Sequence, residues 1–251
     1  MAFTAGLLAG LLSGLFGVGG GIVLVPLLGL LLGLGQHDAQ GVTLAVLLLP
    51  IGLPAVLAYR KRVAIRWRLV GALIAGFVLA VAPGAWVANA MDGRRLRGVF
   101  AFFVLVVAWQ MWRRATAGSR EGPAAGSARG SDWNGVWIGA IGGFLAGLLG
   151  VGGAIVMIPF LVSVMRLDQH EAQATTLAVM LPPVGLPGVL AYASARQEMP
   201  WELLGTVAIG FAIGALGGAQ VAVRMRTGPL ARAFALFLVI AAARLAWSAA
   251  F

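Results

Sequence analysis

Gly14-Leu15-Phe16-Gly17-Val18-Gly19-Gly20-Gly21-Ile22-Val23-Leu24-Val25-Pro26 decides how this chain is read, and Gly147-Leu148-Leu149-Gly150-Val151-Gly152-Gly153-Ala154-Ile155-Val156-Met157-Ile158-Pro159 repeats it. Each copy sets a run of glycines inside an apolar segment long enough to enter a bilayer. Glycine permits backbone turns that other residues resist. A helix broken at membrane depth leaves amides without partners, and such a break is tolerated only where protein, water or a ligand satisfies them. The chain therefore places special backbone at membrane depth twice.

Working outward, residues 5–34 form one apolar stretch interrupted by Gly17 to Gly21, followed by a polar patch, Gln36-His37-Asp38-Ala39-Gln40. A second segment, about 41–59, carries Pro50 and Pro54, which predict a kink. Basic residues from Arg60 to Arg68 separate it from a third segment near 69–91, and Arg94, Arg95 and Arg97 precede a fourth near 98–112. Between 113 and 132 a Gly/Ala/Ser/Pro-rich stretch with scattered arginines reads as a flexible linker.

The pattern then restarts. Shifted by 133 positions, 28 of the 46 residues from Gly14 to Tyr59 are identical in the second half, without a gap. Gln36-His37 returns as Gln169-His170, Gln40 as Gln173 and Thr43-Leu44-Ala45-Val46 as Thr176-Leu177-Ala178-Val179. Pro50 and Pro54 return as Pro183 and Pro187, and after a one-residue slip Trp67 finds Trp201. The expected organisation is a first membrane repeat over 1–114, a cytoplasmic linker over 115–132 and a second repeat over 133–251.

The predicted fold class is an all-α integral membrane protein of two homologous, inverted repeats. Hydropathy alone gives about eight segments, which would make the halves parallel. If each glycine-interrupted stretch is instead a re-entrant hairpin, each half crosses three times and the halves are inverted. The basic residues then divide roughly 13 to 4 between the two faces, against roughly 10 to 7 for eight plain spans. This reading puts the linker in the cytoplasm and both termini outside. Length agrees, because Ala5 to Phe16 makes only about 18 Å of helix.

Composition bounds the function. The chain has 251 residues, 61% of them hydrophobic, and a mean hydropathy of +0.96. With no cysteine, disulfides, thiolate metal sites and thiol nucleophiles are excluded. The net charge of +10 sits almost entirely between the apolar segments, as in loops facing anionic lipid. No basic stripe with interleaved aromatics suggests nucleic acid. The N-terminus lacks a positive n-region, so no cleavable signal peptide is expected.

The candidate substrate-binding residues follow from the breaks. A half-helix is expected to start at Gly19, Gly20 and Gly21, and another at Gly152, Gly153 and Ala154. Helix N-termini offer free amides and partial positive charge, which suit an anion, although glycines also serve close helix packing in membranes. Thr43, Thr175 and Thr176 lie on the following segments. Their hydroxyls are candidate donors to substrate oxygens, or bond back to the carbonyl one turn earlier. Gln40 and Gln173, one turn before, are candidate amide donors or helix-end caps. His37 and His170, the only two histidines, are candidates for proton coupling, or are interfacial residues at a helix start. Asp168 is a candidate N-cap. The predicted spans hold almost no ionisable residue, so no nucleophile–base pair, metal site or carboxylate relay is expected. The chain is expected to be neither an enzyme nor a cofactor protein.

Gly17-x-Gly19-Gly20-Gly21 with Val25-Pro26, then Ala39-x-x-x-Thr43-Leu44-Ala45, all repeated, resembles the TauE/SafE family of sulfite exporters, also called the TSUP transporters. Ala174-Thr175-Thr176-Leu177-Ala178 is similar to the family's Gly-Thr-Ser-Leu pattern, whereas in the first copy Val42 stands in place of the first hydroxyl residue. The resemblance implies a multi-pass carrier of the bacterial inner membrane that exports sulfite, sulfoacetate or a related sulfonate, and the two repeats lead us to expect alternating access. The implied partners are that small anion and membrane lipid, with the chain a monomer or a homodimer. The alternatives are an anion or small-solute channel, and a membrane scaffold that transports nothing.

Overall fold

The computed structural model describes residues 1–16, 20–49, 56, 65–117, 131–195, 201–222 and 227–250. Among them the chain is entirely helical: α1 Ala2–Phe16, α2 Gly21–Leu32, α3 Gln36–Val46, α4 Trp67–Ala90, α5 Gly93–Ala117, α6 Asn134–Leu149, α7 Ala154–Ser163, α8 Gln169–Val179, α9 Leu186–Ser194, α10 Trp201–Ala222 and α11 Thr227–Ala250. Gly17 and Gly19, Pro50 and Pro54, and most of the expected linker (118–130) lie outside the described residues.

The second glycine-rich stretch breaks the helix, as expected, and the first separates α1 from α2. In the second, α6 stops at Gly150, whose φ of 70° only glycine adopts without strain, and the Gly150 N–H donates to the Ala146 carbonyl at 2.8 Å. Gly152 (φ 74°) turns the chain again before α7 starts at Ala154. The chain folds back, so that α7 packs on α6, and α2 likewise packs on α1. α2 and α7 have 12 and 10 residues, giving about 18 and 15 Å of helix, well short of a hydrocarbon core of about 30 Å. Gly33 ends α2 at φ 67°, and at the equivalent turn of the second repeat the non-glycine Arg166 takes φ 53°.

Asp168 is the N-cap of α8, as expected, and forms a capping box with Glu171. The Asp168 carboxylate accepts from the Glu171 N–H at 2.7 Å, and the Glu171 carboxylate accepts from the Asp168 N–H at 3.2 Å. α8 then ends at Val179, and a turn through Pro182 and Pro183 leads to α9, with Pro187 in its first turn. The second repeat's copy of the proline-bearing segment is thus two short helices rather than one kinked one.

Two compact units account for the chain. One comprises Met1–Thr43, Ala88–Arg120 and Pro200–Phe251, and the other Leu44–Val87 and Glu121–Met199. Each draws on both sequence repeats, and the contact that builds each is the same. In the first unit α1 packs along α10. A Cβ on Gly6 would overlap the Val207 carbonyl and one on Gly10 the Phe211 carbonyl, while Gly210 and Gly218 of α10 meet the carbonyls of Phe3 and Leu11. In the second unit α6 packs along α4. Gly139 and Gly143 meet the carbonyls of Leu73 and Phe77, while Gly76 and Gly84 meet those of Val136 and Phe144. All four contacts match pairwise under the shift that relates the repeats. Sequence numbers rise together along both seams, so the paired helices run parallel. Glycine is required there because the backbones touch, the standard means of joining helices where lipid removes the hydrophobic drive.

The second unit's core is continuous with its seam: Leu69, Leu73, Phe77 and Val81 of α4 are buried against Ala146, Met157 and Leu161. Tyr192 of α9 is also buried, and its hydroxyl donates to the Gly147 carbonyl at 2.9 Å. At one end Arg66 pairs with Asp132, both part-exposed. In the first unit α5 packs on α11, and Phe100 and Val104 of α5 and Leu238 of α11 are buried.

Large apolar side chains also face outward in mid-helix, among them Leu79 (74% exposed) on α4, Phe102 (70%) on α5 and Ile209 (60%) on α10. So many exposed hydrophobics on long helices mark a lipid-facing surface. Among the described residues α4 is the one helix both long and apolar enough to cross a bilayer.

Candidate functional site

The two helix starts left by the glycine breaks are built alike, one in each unit. In the second unit Gly153 is the N-cap of α7, buried, with no side-chain cap. The first amides that turn back, Val156 (3.1 Å) and Met157 (2.9 Å), both donate to the Gly153 carbonyl. The N–H groups of Ala154 and Ile155, at the helix start, have no acceptor among the described residues. In the first unit Gly20 is the buried N-cap of α2, again with no side-chain cap. Leu24 donates to its carbonyl at 2.9 Å, and the N–H groups of Gly21 and Ile22 stand as those of Ala154 and Ile155 do.

An aromatic ring presses on each N-cap glycine. A Cβ on Gly153 would run into the ring of Phe77, and one on Gly20 into the ring of Phe211. Phe77 and Phe211 are buried (1% and 3% exposed) and occupy equivalent positions on α4 and α10. Neither stands out in the sequence, because a phenylalanine within an apolar helix carries no signal of its own. The signal lay in the one-residue slip that aligns Trp67 with Trp201 and so Phe77 with Phe211. Gly152 lies just before the α7 start, with the Leu47 side chain close to where a Cβ would stand. Gly19 lies outside the described residues.

The polar candidates differ between the units. Thr176 is buried and donates its hydroxyl proton to the Ala172 carbonyl at 2.8 Å, the back-bonding ordinary for threonine in apolar helices. Thr43, its counterpart in the first unit, is fully buried, yet its hydroxyl has no hydrogen-bond partner among the described residues. Thr175 is buried on α8, Gln40 is buried on α3 and Gln173 is half-buried on α8. The second repeat thus holds two buried hydroxyls where the first holds one, but the unpaired hydroxyl is in the first.

His37 has a structural bond. Its Nε2 lies 3.0 Å from the Ala88 carbonyl, to which it donates, and its ring lies beside Gly93 at the start of α5. This ties the first turn of α3 to the α4–α5 connection. His170 lies in the first turn of α8. Among the described residues no three His, Asp or Glu side chains gather to hold a metal ion.

Each uncapped helix start, with unpaired amides and no side-chain cap, can receive a small anion through hydrogen bonds from neutral donors. Comparison with known proteins finds membrane transporters. The model of the family described as sulfite exporter TauE/SafE matches residues 2–245. A probable membrane transporter protein of Methanocaldococcus jannaschii is 28% identical over 219 residues, covering 85% of this chain and 79% of that protein. One from Haemophilus influenzae is 24% identical over 265 residues, covering 96% of each. The probable membrane transporter protein YunE of Bacillus subtilis is 28% identical over 199 residues, covering 70% of this chain and 71% of its own length. No solved structure matches the chain.

Proposed function

We propose a substrate and a mechanism for this chain, which belongs to the sulfite exporter TauE/SafE family and is a membrane transporter: it exports a small sulfur-containing anion, sulfite or a sulfonate such as sulfoacetate, by alternating access. The observation that carries the reading is the uncapped start of α7, with its Ala154 and Ile155 amides unpaired, and its repetition at α2. The family's named substrate class supplies the anion. In this mechanism each helix start offers its own unpaired amides to an anion's oxygens, the Thr43 hydroxyl is a further donor of the first unit, and no ionised group of the protein has to be desolvated to bind it. The location proposed is the bacterial inner membrane, with inverted repeats, a cytoplasmic linker and both termini outside. The short α1–α2 and α6–α7 hairpins and the division of basic residues support that topology.

Thr43 and Thr176 give a test within one protein. Thermal unfolding of the purified chain, followed by its tryptophan fluorescence over a sulfite titration, is expected to show saturable stabilisation. Thr43→Val, which removes a hydroxyl without changing side-chain shape, is expected to weaken sulfite binding about tenfold or more, the worth of one hydrogen bond to an anion. It should not lower stability without ligand, since the lost hydroxyl had no partner. Thr176→Val is expected to leave affinity within about twofold, because its proton is already given to Ala172. Wild-type affinity in Thr43→Val would remove Thr43 from the site. Absence of stabilisation by any sulfur oxyanion would favour a scaffold.

A further inference from the structure

A cavity of about 370 Å³ lies within the first unit, away from the α2 start, where the end of α2, the Gly33–Gly35 turn, the beginning of α5 and the end of α11 meet. Its polar lining is rich in donors and holds no carboxylate. Arg97 and Arg244 each bring a guanidinium, and the Arg97 Nε donates to the Gly93 carbonyl at 3.3 Å, which holds that side chain in place. Gln36 completes the polar wall. It is 7% exposed, and its amide nitrogen has no hydrogen-bond partner among the described residues. No lining residue is acidic. Asp38 sets its carboxylate over Gly35 but is not part of the wall. The rest of the lining is apolar, and Leu30 among it is 47% exposed, continuous with the exposed Leu31.

From this we infer a binding site for a phosphate group carried by an anionic phospholipid or free in solution. Two guanidiniums and a buried amide donor match the oxygens of a phosphate mono- or diester, and arginine is the side chain best suited to hold them. The space holds about a dozen waters at about 30 Å³ each, more than one small oxyanion fills and enough for a headgroup. Leu30 and Leu31 then offer an apolar path for an acyl chain. On the topology proposed above the α2–α3 turn, the start of α5 and the end of α11 all fall at the outer face. One membrane level, that of the outer-leaflet phosphates, therefore holds the site. Basic pockets between membrane helices recognise headgroups in this way.

The test uses the full chain, delipidated in a mild detergent, with its unfolding midpoint measured against added phosphatidylglycerol, diacylglycerol, or inorganic phosphate at matched ionic strength. Phosphatidylglycerol is expected to raise the midpoint saturably and diacylglycerol to leave it unchanged. The Arg97→Gln/Arg244→Gln protein is expected to bind at least about tenfold more weakly. Arg244→Gln alone, a change at an exposed side chain, is expected to weaken binding in a protein that folds normally. Arg94→Gln, an exposed arginine on the same helix but outside the cavity, is expected to bind as wild type. A response to phosphatidylglycerol assigns the site to a lipid, and a response to inorganic phosphate alone assigns it to a soluble phosphate. No response to either, or equal responses in wild type and Arg244→Gln, overturns the inference. The readout is independent of sulfur-anion transport, so the two readings fail separately.

Discussion

Gly153→Leu is expected to abolish measurable binding of the sulfur anion while leaving a folded protein. A Cβ at this position enters the Phe77 ring, and that ring cannot swing away because it is packed in the core of the second unit. The start of α7 must therefore move. The amides of Ala154 and Ile155 move with it, and in the proposed site these donate to the substrate. Loss of two hydrogen bonds to an anion, at about 1.5 kcal/mol each, weakens binding by about 150-fold. The backbone contacts of the α4–α6 glycine seam do not involve Gly153, so the unit is expected to stay folded. Gly20→Leu acts in the same way against Phe211 in the first unit. The check is sulfite titration of protein that elutes as a single species and keeps its helical circular dichroism. Wild-type affinity in folded Gly153→Leu would take the α7 start out of the binding site.

Gly143→Leu is expected to act on the fold itself and destabilise it. Here the obstacle is backbone. The new Cβ would overlap the Phe77 carbonyl and stand 2.7 Å from its Cα. No rotamer relieves that clash, so α4 and α6 must separate and the seam from Gly139 to Gly147 loses its contacts. The cost is about 3 kcal/mol or more, which for a chain of this size lowers the unfolding midpoint by about 6–12 °C. Gly214→Leu should behave alike, since a Cβ there would overlap the Leu7 carbonyl in the matching seam of the first unit. Gly71→Ala and Gly205→Ala serve as controls, because a Cβ at either site meets nothing within 4 Å. Both should leave the midpoint unchanged or raise it through better helix propensity. Equal stability of Gly143→Leu and the controls would contradict close backbone packing.

The glycine breaks were legible because few other residues permit what they do. Gly150 and Gly152 take left-handed conformations, and a glycine run within an apolar segment announces such a turn. The Asp168 cap was legible from an acid at the head of a helix with a glutamate three residues on. The partner of each hairpin was not legible. Gly6 and Gly10, like Gly139 and Gly143, are four residues apart and declare a small-residue face, but spacing on one helix says nothing of which helix meets it. That α1 pairs with α10 of the other repeat is a property of the folded chain. The difference between Thr43 and Thr176 was hidden for a related reason. The two share their local sequence, and only the hydrogen bonds around them separate a back-bonded hydroxyl from a free one. His37 offered proton coupling or a place at a helix start, and its bond to Ala88 makes it a tether between α3 and the α4–α5 connection.

Counterflow of labelled sulfite into liposomes containing the purified protein tests the central claim most directly, with sulfoacetate, thiosulfate and sulfate as competitors. Saturable uptake that requires internal substrate and is competed by sulfur anions is the expected result. Flux that does not saturate and is indifferent to internal substrate, or no uptake of any of these anions by folded protein, would contradict a sulfur-anion carrier.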